Sequence, residues 1–279
     1  FMMENNTQLK EMIRSMVIDI LQGQKQEMAS SQPIKQAPRG QVEPGVFDTV
    51  DEAIQAAKAA QARFEDCTLA TREKVIADIR AAMRPRVQEL AQKTVDETGM
   101  GRVADKVLKL NLTLNKTPGV EDLVTECETG DNGMTLYELS AYGVIGAITP
   151  STNPAETLIC NSIGMLAAGN AIFFSVHPGA KNLSRELVSE LNQVIAKSIG
   201  IENLIVTLRE PSIESAQEMM LHPDVSLLVV TGGPGVVKQA LQSGKKVIGA
   251  GAGNPPAFVD ETADIKKAAQ DIVLGASLD

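Results

Sequence analysis

"TPSTNPAETLICNSIGMLAAGN" (residues 149–170) follows an apolar run over residues 142–148, and its reading decides the fold. The run before it has the composition of a buried strand. Within it, Leu158, Ile159, Ile163, Leu166 and Ala167 recur at helical spacing. Between strand and helix, Pro150 and Pro154 flank Asn153. Proline fixes the backbone, so the turn is stiff and Asn153 is held at the carboxyl edge of a strand. Open α/β sheets place their ligands at that edge. An amide held there can donate hydrogen bonds to a charge that develops during a reaction. A rigid strand–helix turn without chemistry has the same sequence, so this stretch alone leaves both readings open.

Working outward, residues 141–279 alternate between the two periods. Strands are expected at 144–148, 171–176, 204–207, 227–230 and 246–250. Helices are expected at 156–168, 181–199, 213–221, 235–243 and 263–275. This pattern predicts the α/β class: a parallel, Rossmann-like sheet with helices on both faces. The usual dinucleotide fingerprint is missing, since "GGPGVV" and "GAGAGN" both fail the GxGxxG template.

The strand ends nevertheless carry unusual loops. "SVHPGAKN" (175–182) offers His177 to a ribose hydroxyl or phosphate, although a lone His in a solvated turn is the blander alternative. "VVTGGPGVV" (229–237) sets Gly232 and Gly233 where a ligand can approach the backbone. Pro234 suits the first turn of the next helix, whose free amides can hold a phosphate. "GAGAGNPP" (249–256) leaves open space beside the sheet edge. Four such loops converging on one edge favour a nucleotide site over four independent turns.

The rest of the chain is organised differently. Residues 46–140 read as mainly helical, with Asp48 or Thr49 as a cap, Pro85 as a break and Gly99 and Gly101 as a stop. Residues 134–150 read as strand, turn, strand. Residues 1–24 contain an amphipathic helix with Leu9, Met12, Ile13, Met16, Val17, Ile20 and Leu21 on one stripe. Residues 25–45 are rich in Gln, Pro and Gly and read as a flexible linker. A short apolar-faced helix on a tether favours docking into a partner's groove over packing on its own domain.

Composition excludes several classes. The net charge of −9, the absence of Trp and an aromatic content of 3% argue against nucleic-acid binding. Cys67, Cys127 and Cys160 are odd in number and widely spaced, which gives neither a disulfide framework nor a zinc pattern and suits a reducing cytoplasm. No apolar run reaches the length of a membrane span, so no membrane partner is expected.

"TPSTNP", "SVHPGAKN", "VVTGGPGVV", "GAGAGNPP" and "DETADIKKAAQDIVLGAS", in that order, resemble the CoA-acylating aldehyde dehydrogenases of bacterial microcompartments. These are the propionaldehyde and acetaldehyde dehydrogenases of propanediol and ethanolamine utilisation. "ETGMGRVADK" and "KTPGVEDL" resemble the same group. The resemblance implies an aldehyde-dehydrogenase-type fold that binds NAD without the glycine fingerprint. It implies oxidation of a short-chain aldehyde, propionaldehyde or acetaldehyde, to acyl-CoA, with coenzyme A as co-substrate. It further implies a homo-oligomer, and a helix over residues 1–24 that docks a microcompartment shell protein and encapsulates the enzyme.

Carried over by residue, the resemblance makes Asn153 the oxyanion-hole amide. Thr149, Pro150 and Ser151 would line the nicotinamide side. His177, Pro178 and Gly179 stand where many aldehyde dehydrogenases have Lys-Pro beside the adenosine ribose, and the His-for-Lys change leaves NAD and NADP both open. Thr231, Gly232, Gly233 and Val236 would pack along the pyrophosphate and nicotinamide, with Ala250 and Gly251 beside them. Hydrolytic relatives carry a glutamate base in the segment that here reads "GAGAGN", and a site without it suits a thiol acceptor over water. The family's nucleophilic cysteine, its thiohemiacetal and thioester would lie beyond Asp279, with the catalytic domain. Cys160 is nearest Asn153 but is expected inside a helix that packs on the sheet. Two other readings are a non-catalytic nucleotide-binding or shell-targeted fragment and the amino-terminal half of a bifunctional aldehyde–alcohol dehydrogenase. The tethered helix argues against the second.

Overall fold

A computed structural model describes residues 43–251, 253 and 255–279. The helix expected over 1–24 and the linker up to residue 42 lie outside the described residues.

After the two-residue strand β1 (Val46–Phe47), four helices precede the sheet proper: α1 (Val50–Glu65), α2 (Leu69–Met83), α3 (Val87–Thr98) and α4 (Val103–Lys116). The Thr49 side chain accepts from the Glu52 N–H and starts α1. Pro85 sits in a 3-10 turn between α2 and α3, and Gly99 ends α3 in the left-handed region at φ 66°. A hairpin follows, β2 (Glu126–Gly130) and β3 (Gly133–Tyr137), paired antiparallel. Then come β4 (Val144–Ile148), α5 (Pro154–Ala167), β5 (Ala171–Ser175), α6 (Lys181–Ile199), β6 (Ile205–Leu208), α7 (Ile213–Leu221), β7 (Val225–Thr231), α8 (Pro234–Leu241), β8 (Lys246–Ala250) and α9 (Ile265–Ala276).

Six strands form one sheet in the order β1-β6-β5-β4-β7-β8, with every pairing parallel. β4 and β5 are buried along their whole length, which is why their sequences are unbroken apolar runs. The chain steps from β4 through β5 to β6 in one direction, then returns to the far side of β4 for β7 and β8. Right-handed crossovers that step in opposite directions leave their helices on opposite faces of the sheet. α5 and α6 therefore cover one face, and α7 and α8 the other. α2, α3 and α4 stack outside α5 and α6, while α1 packs against β5, β6 and α7. One continuous core joins these layers, with Phe64, Phe173, Phe174, Leu158 and Ile159 among its fully buried side chains. No helix among the described residues is long and apolar enough to cross a membrane.

Two sequence expectations change. Residues 43–45, assigned to the linker, are part of the sheet domain: the Gly45 carbonyl accepts from Thr207 N–H at 2.9 Å, and Glu43 pairs with Arg185 and Arg209. The span 46–140, read as mainly helical with a strand near its end, contains a hairpin of which only the second strand was expected. Its first strand, "ECETG", is exposed throughout and carries no apolar alternation, so it gave no strand signal.

The join at Gly45 is tight. Its φ is 78°, and a Cβ there would meet the Asn192 side chain and lie 2.6 Å from the Ile205 carbonyl oxygen. Gly45→Ala is expected to destabilise the protein by about 2 kcal/mol or more. Urea denaturation reads this directly, and an unchanged midpoint would show that the 43–47 segment does not belong to the cooperative unit.

Candidate functional site

The return of the chain to β4 opens a crevice between β4 and β7 at their carboxyl ends, the switch point where doubly wound sheets bind ligands. Each strand delivers its loop to this edge. After β4, Thr149 N–H donates to the Ser175 carbonyl at 3.2 Å, and Asn153 occupies the N-cap position of α5 with Pro154 as its first residue. After β5, His177 Nδ1 accepts from Gly179 N–H at 3.0 Å. A neutral ring so bonded carries its proton on Nε2, which is left to donate. After β7, Gly232 N–H donates to the Ala250 carbonyl at 3.3 Å, tying the β7 and β8 ends together. Gly233 is the N-cap of α8 and offers it no side-chain cap.

These loops enclose a cavity of about 640 Å3. Thr149, Pro150, Ser151 and Asn153 line it from β4, and His177 and Pro178 from β5. Thr231, Gly232, Gly233 and Val236 line it from β7 and α8, and Gly251 from the segment after β8. Gly179 and Ala250 do not line it; the first holds His177 and the second pairs with β7. Sequence reasoning missed Ser212, Ile213 and Ala216, which close the cavity from the start of α7, and Thr152 and Thr157 beside Asn153. The α7 residues were findable, because a helix that follows the third parallel strand must begin at the same edge.

The cavity suits a dinucleotide in two respects. Thr149 Oγ1 is buried without a hydrogen-bond partner, a hydroxyl left for a ligand. Gly233, Gly251 and Gly253 have nothing within 4 Å of where a Cβ would stand, so the wall beside β7 and β8 is open backbone. None of the lining residues is acidic. Among the described residues no cluster of His, Cys, Asp or Glu could hold a metal ion. Cys67 is half-buried, while Cys127 and Cys160 are exposed, and none of the three lines the cavity. The helix that carries Cys160 packs on the sheet as expected, and Cys160 itself is exposed.

Behind Asn153 stands a charged group that the sequence did not reveal. α4 packs against α5, and Lys106, only 1% exposed, donates to the Thr152 carbonyl and to Asn153 Oδ1. Lys109 donates to the same Oδ1, and both lysines pair with Asp279. Glu156, one turn along α5, is 7% exposed, and neither carboxylate oxygen has a hydrogen-bond partner. Burial pushes its carboxyl above the ordinary value of 4.5, against the pull of the Lys106 and Lys109 ammoniums. A raised carboxyl contributes stability that is fully present below that ordinary value and is lost as pH rises through the folded-state value. Glu156→Gln is therefore expected to be neutral at acid pH and to raise the melting temperature by about 2 °C or more at pH 8. Thermal melts across pH 4–8 check this; equal melting temperatures at both ends would mean that the carboxyl is not held against its solvation.

With the geometry in place, comparison with known proteins identifies the relatives. The aldehyde dehydrogenase family model matches residues 20–278. The chain is 50% identical to the propanal dehydrogenase (CoA-propanoylating) of Salmonella typhimurium over 275 residues, which is 99% of this chain and 57% of that one. It is 50% identical to the acetylating acetaldehyde dehydrogenase of Escherichia coli K12 over 238 residues, 85% of this chain and 50% of that one. The propionaldehyde dehydrogenase from the fucose-utilisation bacterial microcompartment of Clostridium phytofermentans superposes with TM-score 0.82 at 50% identity, covering 85% of this chain and 55% of that one. The Rhodopseudomonas palustris propionaldehyde dehydrogenase, solved with bound CoA and an acylated cysteine, superposes with TM-score 0.82 at 52% identity, covering 85% and 54%. The chain thus spans about half the length of the relatives it matches. A parallel sheet with its ligand edge at the β4–β7 switch point, a family match over residues 20–278 and these superpositions lead to one conclusion: the chain belongs to the aldehyde dehydrogenase family.

Proposed function

We propose that this chain is the nucleotide-binding part of a CoA-acylating dehydrogenase that oxidises a short-chain aldehyde, propanal or acetaldehyde, to its acyl-CoA. The observation that carries this reading is the meeting of Asn153 with Gly232, Gly233, Gly251 and Gly253, from the segments after β7 and β8, on one cavity. In this reading Thr149, Thr231, Gly232, Gly233 and Val236 hold the nicotinamide and pyrophosphate end of the cofactor. His177 and Pro178, with Ser212 and Ile213, hold the adenosine end. A bound NAD would supply the acceptor for the hydride lost as the thiohemiacetal carbon becomes the thioester carbonyl.

Asn153 supplies the electrostatic part of catalysis. A thiolate attacks the aldehyde carbon, a C–S bond forms, and the carbonyl oxygen becomes an anion. The Asn153 Nδ2–H donates to that anion, stabilising the thiohemiacetal more than the aldehyde. In this reading the thiol is a cysteine beyond Asp279; the Rhodopseudomonas palustris enzyme carries an acylated cysteine. The segment "GAGAGN" carries no carboxylate where hydrolytic relatives have a glutamate base, which supports a thiol over water as the acceptor. The thioester therefore passes to the CoA thiolate, which displaces the enzyme thiolate and leaves as acyl-CoA.

The assay is NADH formation by the full-length gene product. Turnover is expected to need both aldehyde and CoA, and Asn153→Ala is expected to lower kcat roughly a hundredfold or more. Turnover without CoA would favour a hydrolytic dehydrogenase instead. The same assay run with NAD and with NADP fixes the cofactor.

We further propose that the segment 1–24 docks the enzyme to a microcompartment shell protein, by analogy with the Clostridium phytofermentans relative, which comes from such a compartment. Its apolar stripe from Leu9 to Leu21 is what a shell groove would bury. Deletion of residues 3–24 is expected to abolish co-localisation with shell proteins while leaving turnover intact. Unchanged localisation would remove the targeting claim.

A further inference from the structure

Asn153 occupies an N-cap position, where an Asn side-chain oxygen ordinarily accepts from the first-turn amides of its helix. Here it makes no such bond. Its Oδ1 accepts from Lys106 Nζ at 3.3 Å and from Lys109 Nζ at 3.1 Å. Both lysines come from α4, a helix otherwise engaged in packing, and stand at the i,i+3 spacing that places them on one face. A lysine pair at this spacing is ordinarily solvated, yet Lys106 is 1% exposed, and the Lys109 side chain retains only 29% of its exposure.

The chemistry of these contacts fixes which way the amide points. An ammonium has three donors and no acceptor. Neither lysine can face Nδ2, so the amide oxygen must point at α4 and the NH2 away from it. On that side Nδ2 has one contact, Thr152 Oγ1 at 3.4 Å, and Asn153 lines the cavity. Positive charge beside the amide oxygen also polarises the group and makes its N–H a stronger donor. Lys106 is anchored in turn by the Thr152 carbonyl, one residue before Asn153.

We propose that Lys106 and Lys109 are positioning residues: they hold the Asn153 amide with its N–H groups turned to the reacting carbonyl and strengthen them as donors. This rests on the oxyanion role proposed for Asn153. It assigns a task to two lysines on a helix that supplies no residue to the cavity wall.

The test uses the full-length enzyme with Lys109→Met, Lys109→Arg and Asn153→Ala, singly, and Lys109→Met combined with Asn153→Ala. Lys109 is chosen because Lys106 is fully buried and its loss can unfold the site. Lys109→Met is expected to lower kcat about tenfold, with the aldehyde KM, NAD affinity and melting temperature little changed. Lys109→Arg, which keeps a donor and a charge, is expected to recover most of that loss. In the Asn153→Ala background, Lys109→Met is expected to add less than a twofold further loss, because its effect passes through the amide. Wild-type kcat in Lys109→Met would overturn the proposal and leave the oxyanion role standing. A tenfold loss that multiplies in full on top of Asn153→Ala would also overturn it. Wild-type kcat in Asn153→Ala would instead remove the oxyanion role itself, and this proposal with it.

Discussion

β4 hydrogen-bonds in parallel to β5 on one side and β7 on the other, and the rest of the site depends on that double pairing. A parallel strand at the middle of a sheet is buried on both faces, so it must be apolar along its length, as Val144–Ile148 is. β4 and β7 leave through helices on opposite faces, and the loops at their carboxyl ends part there. The gap between them cannot be filled by either crossover. The cavity is therefore a consequence of topology, and the residues around it were free to be selected for a ligand.

The walls of that cavity follow from two different economies of space. On the β7–β8 side, glycines remove side chains so that backbone amides are exposed. At Gly232 a Cβ would lie 3.0 Å from Val236 Cγ1, so a side chain there fits only if Val236 gives way. On the β4 side, two prolines and a buried charge cluster make the turn stiff. Burying Lys106 is costly unless its ammonium is fully engaged. It is engaged by the Thr152 carbonyl, the Asn153 amide and the Asp279 carboxylate. The burial of Asp279 raises its carboxyl, and the hydrogen bonds from Lys106 and Lys109 more than reverse this and hold it below its usual range. Glu156 has no such partner and is pushed the other way. One cluster thus holds one carboxylate firmly ionised and another strained toward neutrality.

The parts of this arrangement that the sequence shows are those dominated by local periodicity. The strand at 144–148 and the helices at 181–199 and 213–221 were legible to the residue, because apolar runs and 3.6-residue stripes mark them. The loops at the strand ends were legible through Gly and Pro, whose backbone chemistry leaves few other roles. β1 was not, because two residues, Val46 and Phe47, carry no period; only their pairing with Thr207 and Leu208 makes them a strand. The β2 strand was not, because its side chains are all exposed. Lys106 and Lys109 were invisible as site residues for a related reason. Charged residues three apart on an amphipathic helix look like a solvated face, and only the packing of α4 on α5 buries Lys106 and partly covers Lys109.

The most direct test of the account is whether the β4–β7 cavity binds a nicotinamide dinucleotide. Gly233 faces open space and has an extended backbone at φ −67° and ψ 161°, so a larger side chain there fills the cavity without straining the fold. Calorimetric titration of NAD into the protein and into Gly233→Leu isolates that space. The account predicts saturable binding to the parent, at least tenfold weaker binding to the variant, and matching melting temperatures. Equal affinity in both proteins would place the dinucleotide elsewhere and contradict it.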